Sequence, residues 1–251
     1  MIAAPAVDLR GGRCVQLVGG RPEEERVSLP HPVEVARRWW SVGFRALHVV
    51  DLDAALGTGA NAAVVRRLLG STPARTQVGG GLRDEAGVDA ALAAGADRVV
   101  VGTRAVGDPA WLEALALARP GRIVVAADVR DRRVLVKGWT ETALLSIDEL
   151  LERVRGLPLA GVLCTDVARE GRVQGIDVGE AERVVRRAAH PVWISGGIRS
   201  VDDLRALEEA GAAGAVLGMA LYTGALDAAE VAEAYGGVRD DIDASEERSG
   251  P

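Results

Sequence analysis

The sequence repeats itself at a spacing of 116 to 120 residues. Three motifs recur in this way: 78–83 as 194–199, 101–103 as 217–219, and 7–10 as 127–130. The first motif reads Val-Gly-Gly-Gly-Leu-Arg and then Ile-Ser-Gly-Gly-Ile-Arg, and the third reads Val-Asp-Leu-Arg and then Ala-Asp-Val-Arg. Recurrence of this kind indicates two copies of one structural unit. The sequence therefore predicts a fold made of two similar halves.

Within each half, short apolar runs alternate with amphipathic segments. The predicted strands are 2–7, 46–51, 75–79, 98–102, 122–127, 160–165, 191–195 and 214–218. The predicted helices are 32–42, 60–70, 84–94, 108–118, 146–156, 178–189, 200–210 and 227–235. Continuous apolar runs are typical of parallel strands covered on both faces. Eight strands and eight helices predict an α/β fold, a single (β/α)8 TIM barrel, for which about 250 residues is the usual length.

An open doubly wound sheet is the competing architecture, but it does not explain two halves of four βα units each. We expect the barrel to cover residues 1–235. The remaining residues, 236–251, have no apolar periodicity and many acidic side chains. We expect them to form a disordered acidic tail.

Composition excludes several classes of function. The net charge is −6, whereas a protein that binds a nucleic-acid backbone usually presents a basic surface. Two cysteines and three histidines, all far apart in the chain, provide neither a disulfide scaffold nor a metal cluster. The sequence shows no signal peptide and no apolar run of membrane-spanning length. We expect a cytoplasmic monomer without a metal, a cofactor, a nucleic-acid partner or a membrane partner.

Glycines follow four of the predicted strands. In (β/α)8 barrels the active site lies at the carboxyl ends of the strands, and glycine turns there let backbone N–H groups approach an anion. The predicted phosphate-binding residues are Gly80, Gly81, Gly102, Thr103, Gly196, Gly197, Gly218 and Met219. Because the repeat places two such sets on opposite sides of the barrel mouth, we expect a small-molecule bis-phosphate substrate. The alternative is that these glycines serve only tight turns.

Carboxylates follow the other four strands, and two of them are related by the repeat. Asp8 and Asp128 would face each other across the barrel mouth. Two carboxyl groups with different pKa values can act as a general base and a general acid. A helix N-cap is the ordinary role of such an aspartate, but no helical pattern follows either residue. Thr165 and Asp166, at the end of the sixth strand, are the other catalytic candidates, and Asp166 could donate a proton.

Four more side chains are candidates for contact with the substrate. Arg13 and Arg83 lie near strand ends and could clamp anions, although solvated surface positions suit them equally. Trp139 lies in the long loop after the fifth strand and could stack on a planar ring or pack in the core. His48 lies on an apolar strand, where packing in the core is the more common role.

These motifs together resemble a known family. The segments that carry the resemblance are 5–13, 48–53, 79–83, 101–103, 137–139 and 164–166. They are similar to those of the phosphoribosylformimino-5-aminoimidazole carboxamide ribotide isomerases, the Amadori-type isomerases of histidine biosynthesis. The resemblance covers the chain from residue 1 to about 235.

The resemblance implies a reaction and a set of roles. The substrate would be an aminoaldose ribonucleotide with two phosphates, which is opened and rearranged to an aminoketose. Asp8 would be the general base and Asp128 the general acid, and Thr165 and Asp166 fall on functional positions of the sixth strand. No metal or organic cofactor would be needed.

The chain departs from the family pattern in one loop and differs from a bifunctional relative in another. The family usually has Asp-Gly-Thr shortly after the Thr-Asp pair, where this chain has Glu170-Gly171-Arg172. A bifunctional relative that also isomerises phosphoribosylanthranilate carries Trp-Glu-Thr-Asp-Gly-Gly, where residues 139–144 here read Trp-Thr-Glu-Thr-Ala-Leu. The second difference favours an isomerase for a single substrate.

Two other functions compete with this interpretation. The sister barrel, imidazole glycerol phosphate cyclase, shares both phosphate sites and the two aspartate positions, but its Asp-Gly-Thr-Lys-x-Gly loop is missing from this sequence. A catalytically silent phosphate-binding barrel is the second alternative. The presence of both Asp8 and Asp128 argues against it.

Overall fold

Eight parallel strands follow one another around a closed barrel in the computed structural model, which describes residues 1–136, 138–139 and 141–237. The barrel strands are β1 (Ile2–Arg10), β4 (Ala46–Asp51), β5 (Arg75–Gly79), β6 (Arg98–Val101), β7 (Ile123–Arg130), β10 (Gly161–Asp166), β11 (Val192–Ser195) and β12 (Gly214–Leu217). The barrel closes because β1 pairs in parallel with both β4 and β12. The (β/α)8 prediction is confirmed.

The helices lie where the apolar periodicity places them, and three short ones were not predicted. They are α1 (Pro32–Val42), α2 (Leu52–Leu56), α3 (Ala62–Leu69), α4 (Glu85–Ala93), α5 (Thr103–Gly107), α6 (Pro109–Ala118), α7 (Ile147–Val154), α8 (Val178–Arg187), α9 (Val201–Glu209), α10 (Met219–Thr223) and α11 (Ala228–Tyr235). The short helices α2, α5 and α10 directly follow barrel strands. None of the helices formed by the described residues is long and apolar enough to cross a membrane.

Two hairpins interrupt the βα pattern, one in each half. The first joins β1 to β2 (Arg13–Val18) and β3 (Arg21–Leu29), and the second joins β7 to β8 (Arg133–Val136) and β9 (Glu141–Ser146). Each begins with a two-residue turn in which both residues have positive φ, Gly11 and Gly12 in one and Asp131 and Arg132 in the other. Such φ values fit the type I′ turn that suits the twist of antiparallel strands. The hairpins were not predicted, although Gly-Gly between two arginines is a hairpin signal.

The barrel interior is filled by small and medium apolar side chains around one large ring. The interior cluster consists of Ile2, Ala4, Ala6, Ala46, Val100, Val124, Leu163, Trp193 and Val216. Trp193 packs so closely against β12 that a Cβ at Gly214 would lie under 3.0 Å from the indole ring. The lumen is therefore a packed core below the mouth, and the space for a ligand lies above it.

The last described helix, α11, ends at Tyr235 and is followed by a contact with the first half of the barrel. Gly236 caps α11, and its carbonyl accepts a hydrogen bond of 2.8 Å from the Arg45 backbone N–H. The expected acidic tail falls, apart from Gly236 and Gly237, on residues 238–251, which lie outside the described residues.

Tyr222 ties the first strand to the helical layer. Its hydroxyl donates to the Ala6 carbonyl at 2.6 Å and accepts from the Trp39 indole at 3.2 Å. The Trp39 ring also meets Tyr222 and Phe44 edge to face, at centroid distances of 5.3 and 5.9 Å. Because Ala6 lies two residues before Asp8, this buried contact fixes the strand that carries a predicted catalytic group.

We expect Trp39→Phe to destabilise the protein by about 1–3 kcal/mol, because it removes a buried indole donor and leaves the Tyr222 hydroxyl short of a partner. Trp40→Phe is the matched control on the same helix, since Trp40 is only partly buried and contacts the Arg45 guanidinium. Urea unfolding of both variants measures the difference. Equal losses in the two variants would contradict the role of the Tyr222 network.

Candidate active site

A cavity of about 240 Å³ opens at the carboxyl ends of the strands. Its lining includes Asp8, Gln16, His48, Asp128 and Glu170. A smaller space beside it is enclosed by the glycine loops of the second half, and the two spaces share Glu170, Ser195, Val216 and Gly218. The mouth is therefore one continuous region with glycine loops at both ends and carboxyl groups between them.

Asp8 lies near the end of β1 and faces the cavity. Desolvation by the surrounding protein raises its pKa to about 7, and a hydrogen bond from the Gln16 amide, 3.2 Å from Asp8 Oδ2, opposes that increase. A carboxyl group with a pKa near 7 is about half ionised at neutral pH. It can therefore accept a proton from a substrate and later return it.

Asp128 lies at the corresponding position of β7. Desolvation raises its pKa as well, and hydrogen bonds from the Trp139 indole and the Thr165 hydroxyl favour the ionised form. Thr165 is the direct neighbour of Asp128 in the parallel pairing of β7 with β10. The structure thus brings together Asp8, Asp128, Thr165 and Trp139 from the predicted set.

Glu170 is a third carboxyl group in the mouth, and it was not among the predicted site residues. Its pKa rises to about 8, mainly through desolvation and then through the charges of Asp8 and Asp128. Its carboxyl lies 3.5 Å from Ser195 Oγ, and its backbone carbonyl accepts from the Gly19 N–H at 3.0 Å. The signal that could have found it is the loop departure Glu170-Gly171-Arg172, which placed a longer acidic side chain in the loop after the sixth strand.

Among the described contacts, none of the three carboxyl groups forms an ion pair. Their hydrogen-bond partners are a primary amide at Asp8, an indole and a hydroxyl at Asp128, and a hydroxyl and the Gly171 backbone at Glu170. Neutral donors stabilise a carboxylate less than a guanidinium does. Protonated and ionised carboxyl groups can therefore coexist near pH 7, which acid–base catalysis requires.

Asp166 does not join this group. Its carboxylate forms an ion pair of 3.1 Å with Arg169 and accepts from the Ala168 N–H at 3.0 Å. It lines a separate cavity of about 360 Å³. Successive side chains of a strand point to opposite faces, so Thr165 points into the barrel mouth and Asp166 points away from it. Asp166 is thus not part of the described lining of the main cavity, and its catalytic role stays a prediction.

Of the two arginines predicted to contact the substrate, only one lies at the cavity. Arg13 pairs with Glu25 on the first hairpin at 2.9 Å and is not part of the described lining. The hairpin turns the Arg13 side chain toward β3, and its contact with a substrate stays a prediction. Arg83 is exposed at the rim, lines the cavity and donates to the Ala55 carbonyl at 2.9 Å.

His48 and Trp139 both line the cavity. Burial of His48 lowers its pKa to about 4, so the ring is neutral at physiological pH. Its Nδ1 has no hydrogen-bond partner among the described residues, which leaves one polar atom of a buried ring available near the ligand space. The Trp139 ring lies against the turn of the first hairpin, where a Cβ at Gly20 would come under 3.0 Å from it.

The paired glycines after β5 and β11 have the same geometry in both halves. Gly80 and Gly196 each have φ of +97°, and a Cβ at either would lie under 3.0 Å from the backbone of the neighbouring strand end, at Asp51 and Asp166 respectively. This steric requirement accounts for glycine at both positions without a ligand. The same turns nevertheless leave backbone open to the mouth, so the two interpretations are compatible.

The predicted anion-binding residues divide between the two ends of the mouth. The lining of the main cavity includes Gly80, Gly81 and Gly102, and that of the adjoining space includes Gly196, Gly197, Gly218 and Met219. Thr103 begins α5 but does not belong to the described lining of either space. The described residues contain no group of three His, Cys, Asp or Glu side chains that could hold a metal ion.

Fold and site together define a (β/α)8 protein built from two similar half-barrels, with buried carboxyl groups at the carboxyl ends of its strands. A family model described as histidine biosynthesis protein matches residues 2–227. The chain belongs to this family.

Individual relatives extend the match over nearly the whole chain. A protein of Gemmatimonas aurantiaca is 56% identical over 94% of this chain and 100% of its own length, and one of Myxococcus xanthus is 50% identical over the same shares. A protein of Methanothrix thermoacetophila is 45% identical over 91% of this chain and 96% of its own length. All three are named 1-(5-phosphoribosyl)-5-((5-phosphoribosylamino)methylideneamino) imidazole-4-carboxamide isomerase.

The raised pKa of Glu170 predicts that this residue lowers stability at alkaline pH. Between its ordinary value of 4.5 and about 8, the unfolded chain binds fewer protons than the folded chain, so stability falls as pH rises through this window. We expect Glu170→Gln to be more stable than the natural protein at pH 9 by about 1 kcal/mol, roughly 2–4 °C in Tm, and equal to it at pH 4.5. Glu113→Gln, at an exposed position of α6, is the control, and a gain independent of pH would contradict the prediction.

Proposed function

We propose that the chain catalyses the Amadori rearrangement of a bis-phosphorylated aminoaldose ribonucleotide to the aminoketose in histidine biosynthesis. The observation that carries this proposal is the placement of Asp8, Asp128 and Glu170 between two glycine-loop ends of one mouth. The name of the relatives contains two 5-phosphoribosyl groups, which agrees with a ligand that carries a phosphate at each end. Such a ligand needs two anion sites and proton transfer at its middle.

Asp8 is the proposed general base. It removes the proton from C2 of the open-chain Schiff base and delivers a proton to C1, which converts the aldose skeleton to the ketose skeleton. Its pKa of about 7 suits both directions of transfer, because a base works best when its pKa lies near the working pH. The neutral Gln16 contact keeps the carboxylate oriented without making it a weak base.

Asp128 is the proposed general acid. It protonates the ring oxygen as the Schiff base forms and regains a proton when the enol hydroxyl becomes the ketone. Glu170 replaces Asp166 as the third catalytic carboxyl group, because its pKa of about 8 leaves it protonated at pH 7 and it lies in the same mouth. Thr165 orients Asp128 through its hydroxyl group.

The two glycine loops are the proposed phosphate grips, one formed by residues 80–81 and 102–103 and the other by 196–197 and 218–219. Their equal backbone geometry suits equal chemical groups at the two ends of the ligand. We propose that Trp139 and the neutral His48 contact the middle of the ligand. Arg83 is the proposed contact at one of its ends. Since all of these groups come from one chain, we further propose that the enzyme acts as a monomer, in the cytoplasm, without a cofactor.

Replacement of either predicted proton carrier tests the reaction directly. We expect Asp8→Asn and Asp128→Asn each to lower kcat by about 10²–10⁴-fold, the usual contribution of general acid–base catalysis. Asp166→Asn is the matched control at a strand end outside the mouth and should lose less than about tenfold. Turnover of the aminoaldose by purified variants is the measurement, and natural activity in Asp8→Asn would remove the proposed base.

The substrate range tests the choice of a single-substrate isomerase. Residues 139–144 lack the loop sequence of the bifunctional relative. We therefore expect turnover of the aminoaldose and no detectable isomerisation of phosphoribosylanthranilate at the same enzyme concentration. Turnover of both compounds would replace the proposal with the bifunctional one, whereas turnover of neither would contradict both.

A further inference from the structure

Gln16 lies between the proposed base and the second glycine loop. It is on β2 and only 3% exposed, because the first hairpin folds it over the barrel mouth. Its Nε2 donates to Asp8 Oδ2 at 3.2 Å and to the Val15 carbonyl at 3.0 Å. These contacts use both amide protons, so the orientation of the amide group is determined by its partners.

The amide oxygen of Gln16 points toward Gly218. A Cβ at Gly218 would lie under 3.0 Å from Gln16 Oε1, a separation that real Cβ atoms essentially never show. The residue related to it by the repeat, Gly102, has similar backbone angles, yet a Cβ there would make an ordinary contact of 3.6 Å with Ala126 Cβ. A methyl group at Gly218 would therefore displace the Gln16 amide, whereas a methyl group at Gly102 would displace nothing.

We propose that Gln16 is the positioning residue of the Asp8 carboxylate and that Gly218, in the second glycine loop, keeps Gln16 in place. The inference rests on the proposed function, in which Asp8 moves the proton at C2. It adds a physical link between one end of the ligand and the reacting centre, since the same amide contacts the base and abuts the loop. A movement of that loop against the amide would therefore move the donor of Asp8.

The link has a consequence for the proton affinity of Asp8. Desolvation raises the pKa of Asp8, and the Gln16 hydrogen bond is the contact that lowers it. The other titratable groups that interact with the Asp8 charge are Glu170, Cys14 and Tyr222, and a substitution of Gln16 leaves all three in place. Without this donor, Asp8 stays protonated to a higher pH and acts as a base over a narrower range. A residue that only filled space would change the rate equally at every pH.

Gln16→Leu is the first test, read as the pH profile of kcat/KM for the aminoaldose. We expect the acidic limb to move about one pH unit upward, since a hydrogen bond to a charged group is worth about one pKa unit or more. The loss should be about tenfold at pH 6 and small at pH 9. Gln77→Leu is the matched control: it makes the same change at a buried position of β5 that is not part of the described cavity lining. Its acidic limb should not move.

The two related glycines test the link to the loop. Gly218→Ala should raise KM and also move the acidic limb upward, because the new methyl group displaces the amide from Asp8. Gly102→Ala should raise KM and leave the limb in place. In the double variant of Gln16→Leu with Gly218→Ala, the limb should move no further than in Gln16→Leu alone. An equal shift in the Gly102 and Gly218 variants, or additive shifts in the double variant, would overturn the link.

A readout independent of turnover separates this inference from the proposed function. NMR of the carboxyl carbons in the full chain follows the titration of Asp8, whose signal is assigned by its loss in Asp8→Asn. The pKa of Asp8 should be higher in Gln16→Leu than in the natural protein, even if the aminoaldose proves not to be the substrate. Should Gln16→Leu fail to fold, Gln16→Glu keeps the shape of the side chain and places a second carboxyl group beside Asp8. The pKa of Asp8 should then rise even further. An unchanged Asp8 titration in whichever variant folds would overturn the proposal.

Discussion

Desolvation of three carboxyl groups in one mouth is the constraint on which the site depends. Asp8, Asp128 and Glu170 all have raised pKa values, and each has neutral hydrogen-bond partners. Carboxylates placed together in this way oppose folding at high pH, since their charges lose water and repel one another. The closed barrel tolerates this because its stability comes from the packed layers beneath the mouth and from the helices around it. Instability is therefore confined to the place where proton transfer requires it.

One hairpin supports all three groups. Gln16 on β2 donates to Asp8, Gly19 donates through its backbone to the Glu170 carbonyl, and Gly20 lies against the Trp139 ring that donates to Asp128. The β2–β3 hairpin belongs to the first half, whereas Glu170 and Trp139 belong to the second. The two halves are thus joined over the mouth as well as around the barrel. This arrangement explains why the turn between β2 and β3 consists of glycines, which allow the close approach.

The sequence predicts the barrel, and the positions of Asp8 and Asp128 at strand ends, because both depend on regular order. Strand ends recur at a spacing of 116 to 120 residues, so the repeat alone places these two aspartates on related strands. Contacts across a hairpin have no such period, and the partnership of Gln16 with Asp8 could not be read from the chain. Asp166 shows a second limit: at a strand end, one residue separates the face toward the mouth from the face away from it. Glu170 lies beyond the strand in a loop, where no alternation predicts direction.

The two halves of the barrel are alike at the glycine turns, where the proposed ligand has two similar ends. They differ around Asp8 and Asp128, where the proposed proton transfers differ. Gly80 and Gly196 share a φ of +97° and the same close contact with a neighbouring strand, which suits the proposed binding of two equal phosphate groups. The middle of an aminoaldose needs one group that accepts a proton and one that donates it. Two related aspartates can differ in this way only if their surroundings differ. The hairpins supply that difference, because one places an amide at Asp8 and the other an indole at Asp128. The barrel itself is nearly symmetric, so the differences between the two hairpins make the site asymmetric.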